Sequence, residues 1–238
     1  MYRYLFFDAD GTLFDFNEAE NHAFYQMAQE LGFSATSGQL LLYKACNEAC
    51  WKAFERFEIT QETLKTKRFE DFFAAEHLAF DPALASTSYQ RFLSRQGILY
   101  KQSRPLMDEL IQRGYTLYLA TNGIAEVQRG RLEVSGTGMY FKDIFISEEM
   151  GSQKPDSTFF SLMLERTGLE SNRQECLMIG DSLVSDIGGG LLAGLDTLWL
   201  NKGGAGVNST LIRPTYEMGS LPEMLDLLLP LTERSAQP

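Results

Sequence analysis

The chain has 238 residues, of which 44% are hydrophobic and 22% are charged, as is usual for a soluble globular protein with an apolar core. Its formal net charge is −11, so its surface repels nucleic-acid backbones and anionic membranes. These numbers argue against a polymeric nucleic acid as a partner, but they allow a small anionic substrate that is bound by a metal ion and local cations.

The cellular setting is also predicted from the sequence. The three cysteines form no even disulfide framework, and the apolar run at residues 4–7 is too short for a secretory signal. No run approaches the roughly 20 apolar residues of a membrane span. We therefore expect a cytoplasmic protein in a reducing environment, either a monomer or a homodimer.

Short apolar runs of strand length recur along the chain and alternate with amphipathic stretches of helix length. The predicted strands cover residues 3–8, 115–120, 143–147, 176–180 and 197–200. The helices between them cover residues 105–113, 124–135, 156–167 and 183–193, and a last helix is expected near 221–229. Strands that alternate with helices predict an α/β fold with a Rossmann-like parallel sheet.

Residues 16–96 interrupt this alternation because they show helical spacing and no convincing strand. The helices predicted here cover residues 19–31, 38–57, 60–75 and 82–96. The sequence therefore predicts a core formed by residues 1–15 and 97–238, with an all-helical domain inserted at residues 16–96.

Polar clusters stand where the predicted strands end. The first strand runs into Asp8-Ala9-Asp10-Gly11-Thr12, the second into Thr121-Asn122-Gly123, and the fourth into Gly180-Asp181-Ser182. Asp186 follows one helical turn after the last cluster, and Lys154 precedes a predicted helix. Because open α/β sheets bind ligands at the carboxyl ends of their strands, we expect these groups to form one site.

Each group suits phosphoryl transfer. A carboxylate such as Asp8 can act as a nucleophile, and Asp10 can protonate a leaving oxygen and then deprotonate water. Gly11 allows a tight turn whose amides face an anion. Thr121, Asn122 and Lys154 are phosphate-binding candidates, and Asp8 with Asp181 offers the oxygen ligands that Mg²⁺ prefers, with Mn²⁺ as an alternative ion.

Each cluster taken alone has a simpler explanation. Asp-rich turns often cap helices, and the string Thr121-Asn122-Gly123 is common in turns. A single lysine such as Lys154 is most often a solvated surface residue, and Asp181 with Asp186 could be the acidic first turn of a helix. The order of the four clusters and their positions at strand ends favour a common site.

These motifs resemble those of the haloacid dehalogenase superfamily of phosphotransferases, over almost the whole chain. The resemblance implies that Asp8 is the nucleophile and Asp10 the acid/base. It also implies that Mg²⁺ is held by Asp8, the backbone carbonyl of Asp10, and Asp181. Ser182 and Asp186 would act through the groups they contact, by orienting the metal ligands or Lys154. The helical insertion resembles the cap domain of this superfamily.

Further strings resemble the bacterial pyrimidine 5′-nucleotidases of the superfamily. They include residues 12–16, 128–133, 146–151, 185–190 and 193–201. This resemblance implies hydrolysis of UMP, dUMP or dTMP through an aspartyl-phosphate. Two alternatives are a phosphatase or phosphomutase that acts on phosphoglycolate or a sugar phosphate, and a non-catalytic binding protein. Asp10 argues against dehalogenase and phosphonatase chemistry, which lack this acid.

Substrate choice is expected to depend on the helical insertion. Trp51 or Phe69 could stack on a base, while Asn47 or Arg68 could bind its edge or the ribose. The alternative is that both aromatic residues belong to a helix core and that Arg68 is a surface cation. Cys46 and Cys50 are four residues apart, and we expect them to pack inside the insertion rather than bind a metal.

Overall fold

A computed structural model describes residues 2–204 and 212–229. The chain divides into two compact units. The core unit comprises Met1–Asp15, Leu99–Ala125 and Gly136–Pro238, and the helical unit comprises Phe16–Ile98 and Glu126–Ser135. The predicted domain boundaries assign residues 97–98 and 126–135 to the core, whereas their contacts group them with the helical unit.

A parallel sheet forms the centre of the core unit, and among the described residues it has the strand order β3-β2-β1-β4-β5-β6. The strands are β1 (Tyr4–Phe7), β2 (Thr116–Thr121), β3 (Phe141–Ile146), β4 (Cys176–Gly180), β5 (Asp196–Leu200) and β6 (Tyr216–Met218). The strand β1 has β2 on one side and β4 on the other, so the direction in which strands are added reverses beside β1. The α/β prediction is confirmed, and this reversal beside β1 is where such sheets bind ligands.

The helices follow in chain order. They are α1 (Phe16–Glu30), α2 (Ser37–Glu55), α3 (Gln61–Ala75), α4 (Pro82–Leu93), α5 (Ser103–Gln112), α6 (Ala125–Ser135), α7 (Ser147–Met150), α8 (Ser157–Thr167), α9 (Gly189–Leu192) and α10 (Met224–Leu227). A π-helical turn, Leu183–Gly188, precedes α9. Among the described residues, no helix is both long and apolar enough to cross a lipid bilayer.

Local sequence signals explain several helix ends. Thr36 and Gln39 form a reciprocal capping box at the start of α2. Asp81 caps α4 just before Pro82, which suits the first helical position because its missing N–H needs no partner there. Asp156 caps α8, and Gly168 ends that helix in the left-handed conformation.

Aromatic side chains fill the interior of the helical unit. The buried rings of Phe24, Tyr43, Phe69 and Phe72 contact one another, with Phe24 and Tyr43 stacked at 4.9 Å between ring centroids. The helix α6 joins this unit at Gly130, where an added Cβ would lie 2.7 Å from the carbonyl oxygen of Ser94. Only a glycine permits this close approach of the two backbones.

The glycine run at residues 188–190 has a similar explanation. An added Cβ at Gly189 would lie 2.5 Å from the ring of Phe160, and one at Gly190 would lie 2.8 Å from Thr197 on β5. Three glycines are poor helix formers, at roughly 1 kcal/mol each relative to Ala. Their cost is offset because they let this helical segment pack directly on the sheet.

The C-terminal part of the described chain differs from the prediction. The strand β6 was not anticipated, because the run Tyr216–Met218 is short and only partly buried. The helix expected at 221–229 is a short 3₁₀ turn, Leu221–Glu223, followed by the four-residue α10. Pro222 lies in the first turn of this segment, where its missing N–H needs no partner, and the helical segment ends at Leu228, whose ψ of 71° is not helical.

Candidate active site

The loop after β1 carries both carboxylates of the first motif. Asp8 is the first residue beyond the strand, and its backbone N–H donates to the carbonyl oxygen of Ile179 at 2.8 Å, which ties the loop to β4. Asp8 is buried, and Asp10 is half-buried. The N–H of Leu13 donates to the carbonyl oxygen of Ala9 at 2.9 Å and closes the turn. The two carboxylates therefore start from one ordered backbone.

Lys154 is a buried cation at the centre of the site. Its Nζ donates to Oδ1 of Asp8 at 2.8 Å, to Oδ1 of Asp186 at 2.6 Å and to the carbonyl oxygen of Ala120 at 2.6 Å. Burial alone would lower the pKa of Lys154, but the negative charges of Asp186 and Asp8 outweigh it and raise this pKa above its usual value. Lys154 is therefore protonated, and its interpretation as a solvated surface lysine is wrong.

Asn122 holds the segment that carries this lysine. Its Nδ2 donates to the carbonyl oxygen of Lys154 at 2.8 Å, and its Oδ1 accepts the backbone N–H of Lys154, also at 2.8 Å. Both ends of the side-chain amide are thus used for positioning. Asn122 thus positions Lys154, and its contact with a phosphate stays a prediction.

Asp186 supports the site through both of its carboxylate oxygens. Oδ1 accepts the hydrogen bond from Lys154, and Oδ2 accepts the backbone N–H of Ser182 at 3.0 Å. The Ser182 hydroxyl in turn accepts the N–H of Ser185 at 3.1 Å and starts the π-helical turn. An added Cβ at Gly180 would lie 2.0 Å from Oδ2 of Asp186, so the last residue of β4 must be a glycine.

Asp181 is fixed from two sides. The indole N–H of Trp199 donates to its backbone carbonyl oxygen at 2.9 Å. Gly11 adopts a left-handed conformation with φ of 77°, and an added Cβ there would lie 2.1 Å from Oδ2 of Asp181. Gly11 therefore serves both the turn after Asp10 and the space that the Asp181 carboxylate occupies.

One oxygen from each of Asp8, Asp181 and Asp186 lies within 4.8 Å of the others. Such a set of hard oxygen donors fits Mg²⁺. Each carboxylate oxygen of Asp186 already accepts a hydrogen bond, whereas among the described residues the Asp8 carboxylate accepts one, from Lys154. Asp8 and Asp181 are thus the carboxylates better suited to hold a cation.

The charge balance also favours a cation. Desolvation raises the pKa of Asp8 well above its usual range, Lys154 opposes this effect, and the charges of Asp186 and Asp181 add to it. The Asp181 side chain is exposed to solvent, yet desolvation by the surrounding protein and the charge of Asp186 raise its pKa to about 7. A bound cation would stabilise the charged form of both carboxylates.

Thr121, the last residue of β2, offers a donor to a ligand. Its side chain is buried, and its hydroxyl has no hydrogen-bond partner among the described residues. Leaving a buried hydroxyl unpaired costs about 1–3 kcal/mol. Its backbone neighbour Ala120 accepts the bond from Lys154, so the hydroxyl lies at the same edge of the sheet as the lysine.

The helical unit contains a buried polar chain that includes two of the predicted substrate residues. Asn47 donates through Nδ2 to Oε1 of Glu20 at 2.7 Å and accepts from Nη1 of Arg68 at 3.1 Å. All three side chains are buried, so the alternative of Arg68 as a surface cation is wrong. Nη2 of Arg68 has no hydrogen-bond partner among the described residues.

The other candidates in the helical unit behave differently. Trp51 is half-buried and packs edge-on against Phe54, whereas Phe69 lies fully in the aromatic core. Cys50 packs with Phe54 and Leu64, and its thiol is free. The packing interpretation is therefore supported for Phe69 and Cys50, while Trp51 keeps an accessible surface.

Sequence reasoning missed two residues near the motifs. Lys202 follows β5 and donates to the carbonyl oxygen of Gly11 at 2.7 Å, and Tyr100 lies under the ammonium group. Glu20, the partner of Asn47, was also missed. The Gly-rich segment after Lys202 was the signal that this strand end carries a loop, but it could not indicate the direction of the lysine.

Comparison with known proteins agrees with this geometry. The chain is 40% identical over 227 residues to pyrimidine 5′-nucleotidase PynA of Streptococcus pneumoniae, covering 95% of each chain. It is 32% identical to pyrimidine 5′-nucleotidase YjjG of Escherichia coli, covering 94% of this chain and 97% of that protein.

A solved structure is similar as well. The magnesium-bound crystal structure of the putative hydrolase YfnB from Bacillus subtilis matches with a TM-score of 0.89 and 37% identity, covering 95% of this chain and 98% of that one. The family model of the haloacid dehalogenase-like hydrolases matches residues 5–200. This range runs from β1 to β5 and includes every strand end of the site. The chain belongs to the family of haloacid dehalogenase-like hydrolases.

Proposed function

We propose that this hydrolase is a Mg²⁺-dependent phosphatase that acts on nucleoside 5′-monophosphates and prefers pyrimidine nucleotides such as UMP, dUMP and dTMP. Its relatives in Streptococcus pneumoniae and Escherichia coli are pyrimidine 5′-nucleotidases, and they align over almost the whole chain. The proposal extends their activity to this chain.

One observation carries the phosphatase assignment. The buried Lys154 ammonium donates the one hydrogen bond that the Asp8 carboxylate accepts among the described residues, while the hydroxyl of Thr121 has no hydrogen-bond partner among them. A phosphoryl group placed here would meet a nucleophilic oxygen, a hydroxyl donor and a cation. Preorganised donors of this kind stabilise the charge that spreads over a transferring phosphoryl group.

In the first step, Oδ2 of Asp8 attacks phosphorus and the bond from phosphorus to the 5′-oxygen breaks. Asp10 gives its proton to the departing 5′-oxygen, so that the nucleoside leaves as an alcohol. Asp8 then carries the phosphoryl group as an acyl phosphate, and Asp10 is a carboxylate. Lys154 and Thr121 hold the non-bridging oxygens throughout the transfer.

In the second step, Asp10 takes a proton from a water molecule that attacks the phosphorus of the acyl phosphate. The bond from phosphorus to Oδ2 of Asp8 breaks, which releases inorganic phosphate and restores the Asp8 carboxylate. Asp10 ends protonated and ready for the next substrate. Its half-buried position keeps it within the loop of Asp8 and accessible to water.

Mg²⁺ would supply positive charge that offsets the repulsion between the carboxylates and the phosphate. We assign its ligands to Asp8, Asp181 and the backbone carbonyl of Asp10. The cluster of Asp8, Asp181 and Asp186 supports this assignment, because Asp186 is already occupied by Lys154 and Ser182.

We assign the choice of substrate to the helical unit. Nη2 of Arg68 is a buried donor without a hydrogen-bond partner among the described residues, and Asn47 holds the guanidinium in place through Nη1. A pyrimidine offers carbonyl oxygens to such a donor, and the accessible face of Trp51 could stack on its ring. Asn47, Arg68 and Trp51 are therefore our candidates for base recognition.

The core site would serve other phosphate monoesters equally well, because the leaving group is not recognised by the strand-end residues. A panel of UMP, dUMP, dTMP, purine nucleotides, phosphoglycolate and hexose phosphates, assayed with Mg²⁺ for phosphate release, decides between them. A preference for phosphoglycolate or a hexose phosphate over UMP would replace the nucleotidase with the alternative phosphatase.

The mechanism is tested in the same assay with Asp8→Asn and Asp10→Asn. We expect Asp8→Asn to abolish turnover and Asp10→Asn to lower kcat by about 10²–10⁴-fold, the usual contribution of a positioned acid or base. Asp226→Asn is the matched control because Asp226 is an exposed carboxylate on α10. Near-normal activity of Asp8→Asn would contradict the mechanism, and tight nucleotide binding without hydrolysis by the wild type would favour a binding protein.

A further inference from the structure

Lys202 connects the end of β5 to the loop that carries Asp10. Its Nζ donates to the carbonyl oxygen of Gly11 at 2.7 Å and approaches the carbonyl oxygen of Thr12 at 3.5 Å. These two carbonyls directly follow Asp10 in the chain. A bond from a charged donor to a carbonyl is stronger than a neutral one, so the lysine fixes the direction of this turn.

The ring of Tyr100 fixes the ammonium in turn. Nζ of Lys202 lies 3.2 Å from the centroid of the Tyr100 ring, in the geometry of a cation–π contact. The backbone N–H of Tyr100 donates to the carbonyl oxygen of Leu13 at 3.1 Å, so the ring belongs to the same loop structure. Lys202 is an exposed residue whose ammonium group is contacted on one side by the ring and on the other by the turn.

The surroundings of this pair are acidic. Desolvation and the charges of Asp15, Asp181 and Asp10 raise the pKa of Tyr100 to about 12, which reflects the proximity of the ring to the carboxylates. Lys202 lies near Asp10, but its described hydrogen bonds do not include the Asp10 carboxylate. Its bonds go to the backbone, which is what a positioning residue requires.

Backbone hydrogen bonds also shape this turn, because the N–H groups of Leu13 and Phe14 both donate to the carbonyl oxygen of Ala9, at 2.9 and 2.8 Å. Gly11 adopts a left-handed conformation, and its N–H donates to the carbonyl oxygen of Phe14 at 3.1 Å. The same residue cannot gain a side chain, because of Asp181. Its carbonyl group is thus the point at which an external donor can restrain the backbone next to Asp10.

We propose that Lys202, held by Tyr100, is a positioning residue that aligns Asp10 with the leaving oxygen by fixing the carbonyl of Gly11. This inference rests on the proposed function, in which Asp10 protonates the leaving group. A misaligned Asp10 slows the departure of an alkoxide, which needs a proton. The same misalignment should have little effect on the departure of p-nitrophenolate, which leaves without a proton.

The experiment compares Lys202→Met with wild type on UMP and on p-nitrophenyl phosphate. The quantity compared is kcat/KM, because it reports the step that forms the phospho-enzyme. We expect kcat/KM to fall about 10–100-fold for UMP, a part of the contribution of an acid/base group, and less than about threefold for p-nitrophenyl phosphate. Lys202→Arg, which can donate to Gly11 and stack on Tyr100, should recover most of the activity on UMP.

Tyr100→Leu provides a second variant in case Lys202→Met folds poorly, and should show the same selective loss to a smaller extent. Lys101→Met is the matched control, since Lys101 is an exposed lysine on the adjacent turn. Equal losses on both esters, or no loss on UMP, would overturn the role of Lys202. If the wild type hydrolysed neither ester, the proposed phosphatase itself would be wrong, and the role of Lys202 with it.

Discussion

Nζ of Lys154 lies 2.8 Å from Oδ1 of Asp8, although the two residues are 146 positions apart in the chain. Both are buried, and Asp186 binds the same ammonium at 2.6 Å. The lysine thus holds the proposed nucleophile and offsets part of the negative charge of Asp8, Asp186 and Asp181. Removing one partner from a buried charge cluster leaves the others uncompensated, which costs several kcal/mol.

Lys154→Met is therefore expected to affect both activity and folding. We expect kcat to fall by about 10²–10³-fold, as for the loss of one donor to a developing charge. We also expect a lower melting temperature than in wild type, measured by calorimetry. Lys101→Met, which removes an exposed lysine, should leave both quantities unchanged. Normal turnover by Lys154→Met would contradict its role.

Thr121→Val separates function from stability. The Thr121 hydroxyl is buried without a hydrogen-bond partner among the described residues, so replacing it with a methyl group should keep or raise the melting temperature. We expect kcat/KM for phosphate esters to fall about tenfold or more, since one charge-assisted hydrogen bond contributes about 1.5–3 kcal/mol.

Thr197→Val is the matched control for this change. The hydroxyl of Thr197 accepts the backbone N–H of Thr215 at 3.3 Å, so its loss should lower the melting temperature and leave kcat/KM unchanged. The two variants should therefore differ in opposite ways: Thr121→Val should lose activity and keep its melting temperature, and Thr197→Val should do the reverse. A lower melting temperature with full activity for Thr121→Val would show that its hydroxyl serves the fold instead.

Mg²⁺ affinity should depend on pH near neutrality. The pKa of Asp181 is raised to about 7, so protons compete with the ion below this pH. We expect the dissociation constant, measured by isothermal titration calorimetry, to decrease as pH rises from 6 to 8. The stability of the metal-free protein should change with pH in the opposite direction, because it should fall as pH rises. A raised carboxyl pKa contributes stability at low pH that is lost as pH rises through about 7.

A Mg²⁺ affinity that stayed constant between these pH values would contradict protonation of Asp181 near pH 7. Asp181→Asn is the control, because an amide has no such titration. This variant should bind the ion more weakly at pH 8 and lose the pH dependence that Asp181 causes.

Gly11→Ala should impair the site through two effects. Its left-handed conformation is unfavourable for alanine by roughly 1–2 kcal/mol, and the new Cβ would collide with Oδ2 of Asp181. We expect weaker Mg²⁺ binding and a large loss of turnover. Gly32→Ala is the matched control, because Gly32 has φ of 86° and no atom within 4 Å of an added Cβ. This variant should lose only stability; normal Mg²⁺ binding by Gly11→Ala would contradict the collision.

Much of the site could be predicted from the sequence, because its residues stand at the carboxyl ends of strands. Parallel strands bring these ends to one edge of the sheet, so Asp8, Thr121 and Asp181 converge once the strands are recognised. Their proposed chemistry follows from residue type together with this convergence. The helical insertion was equally visible, since helical spacing with no strand pattern continues from about residue 16 to residue 96.

Other features were decided only by the tertiary structure. Burial turned Lys154 from an ordinary lysine into the partner of two carboxylates, and it enclosed Arg68 in a polar chain with Asn47 and Glu20. The bond from Lys202 to Gly11 joins residues 191 positions apart. Sequence patterns report periodicity and local propensity, whereas the direction of a long side chain depends on the space and charge that distant residues supply.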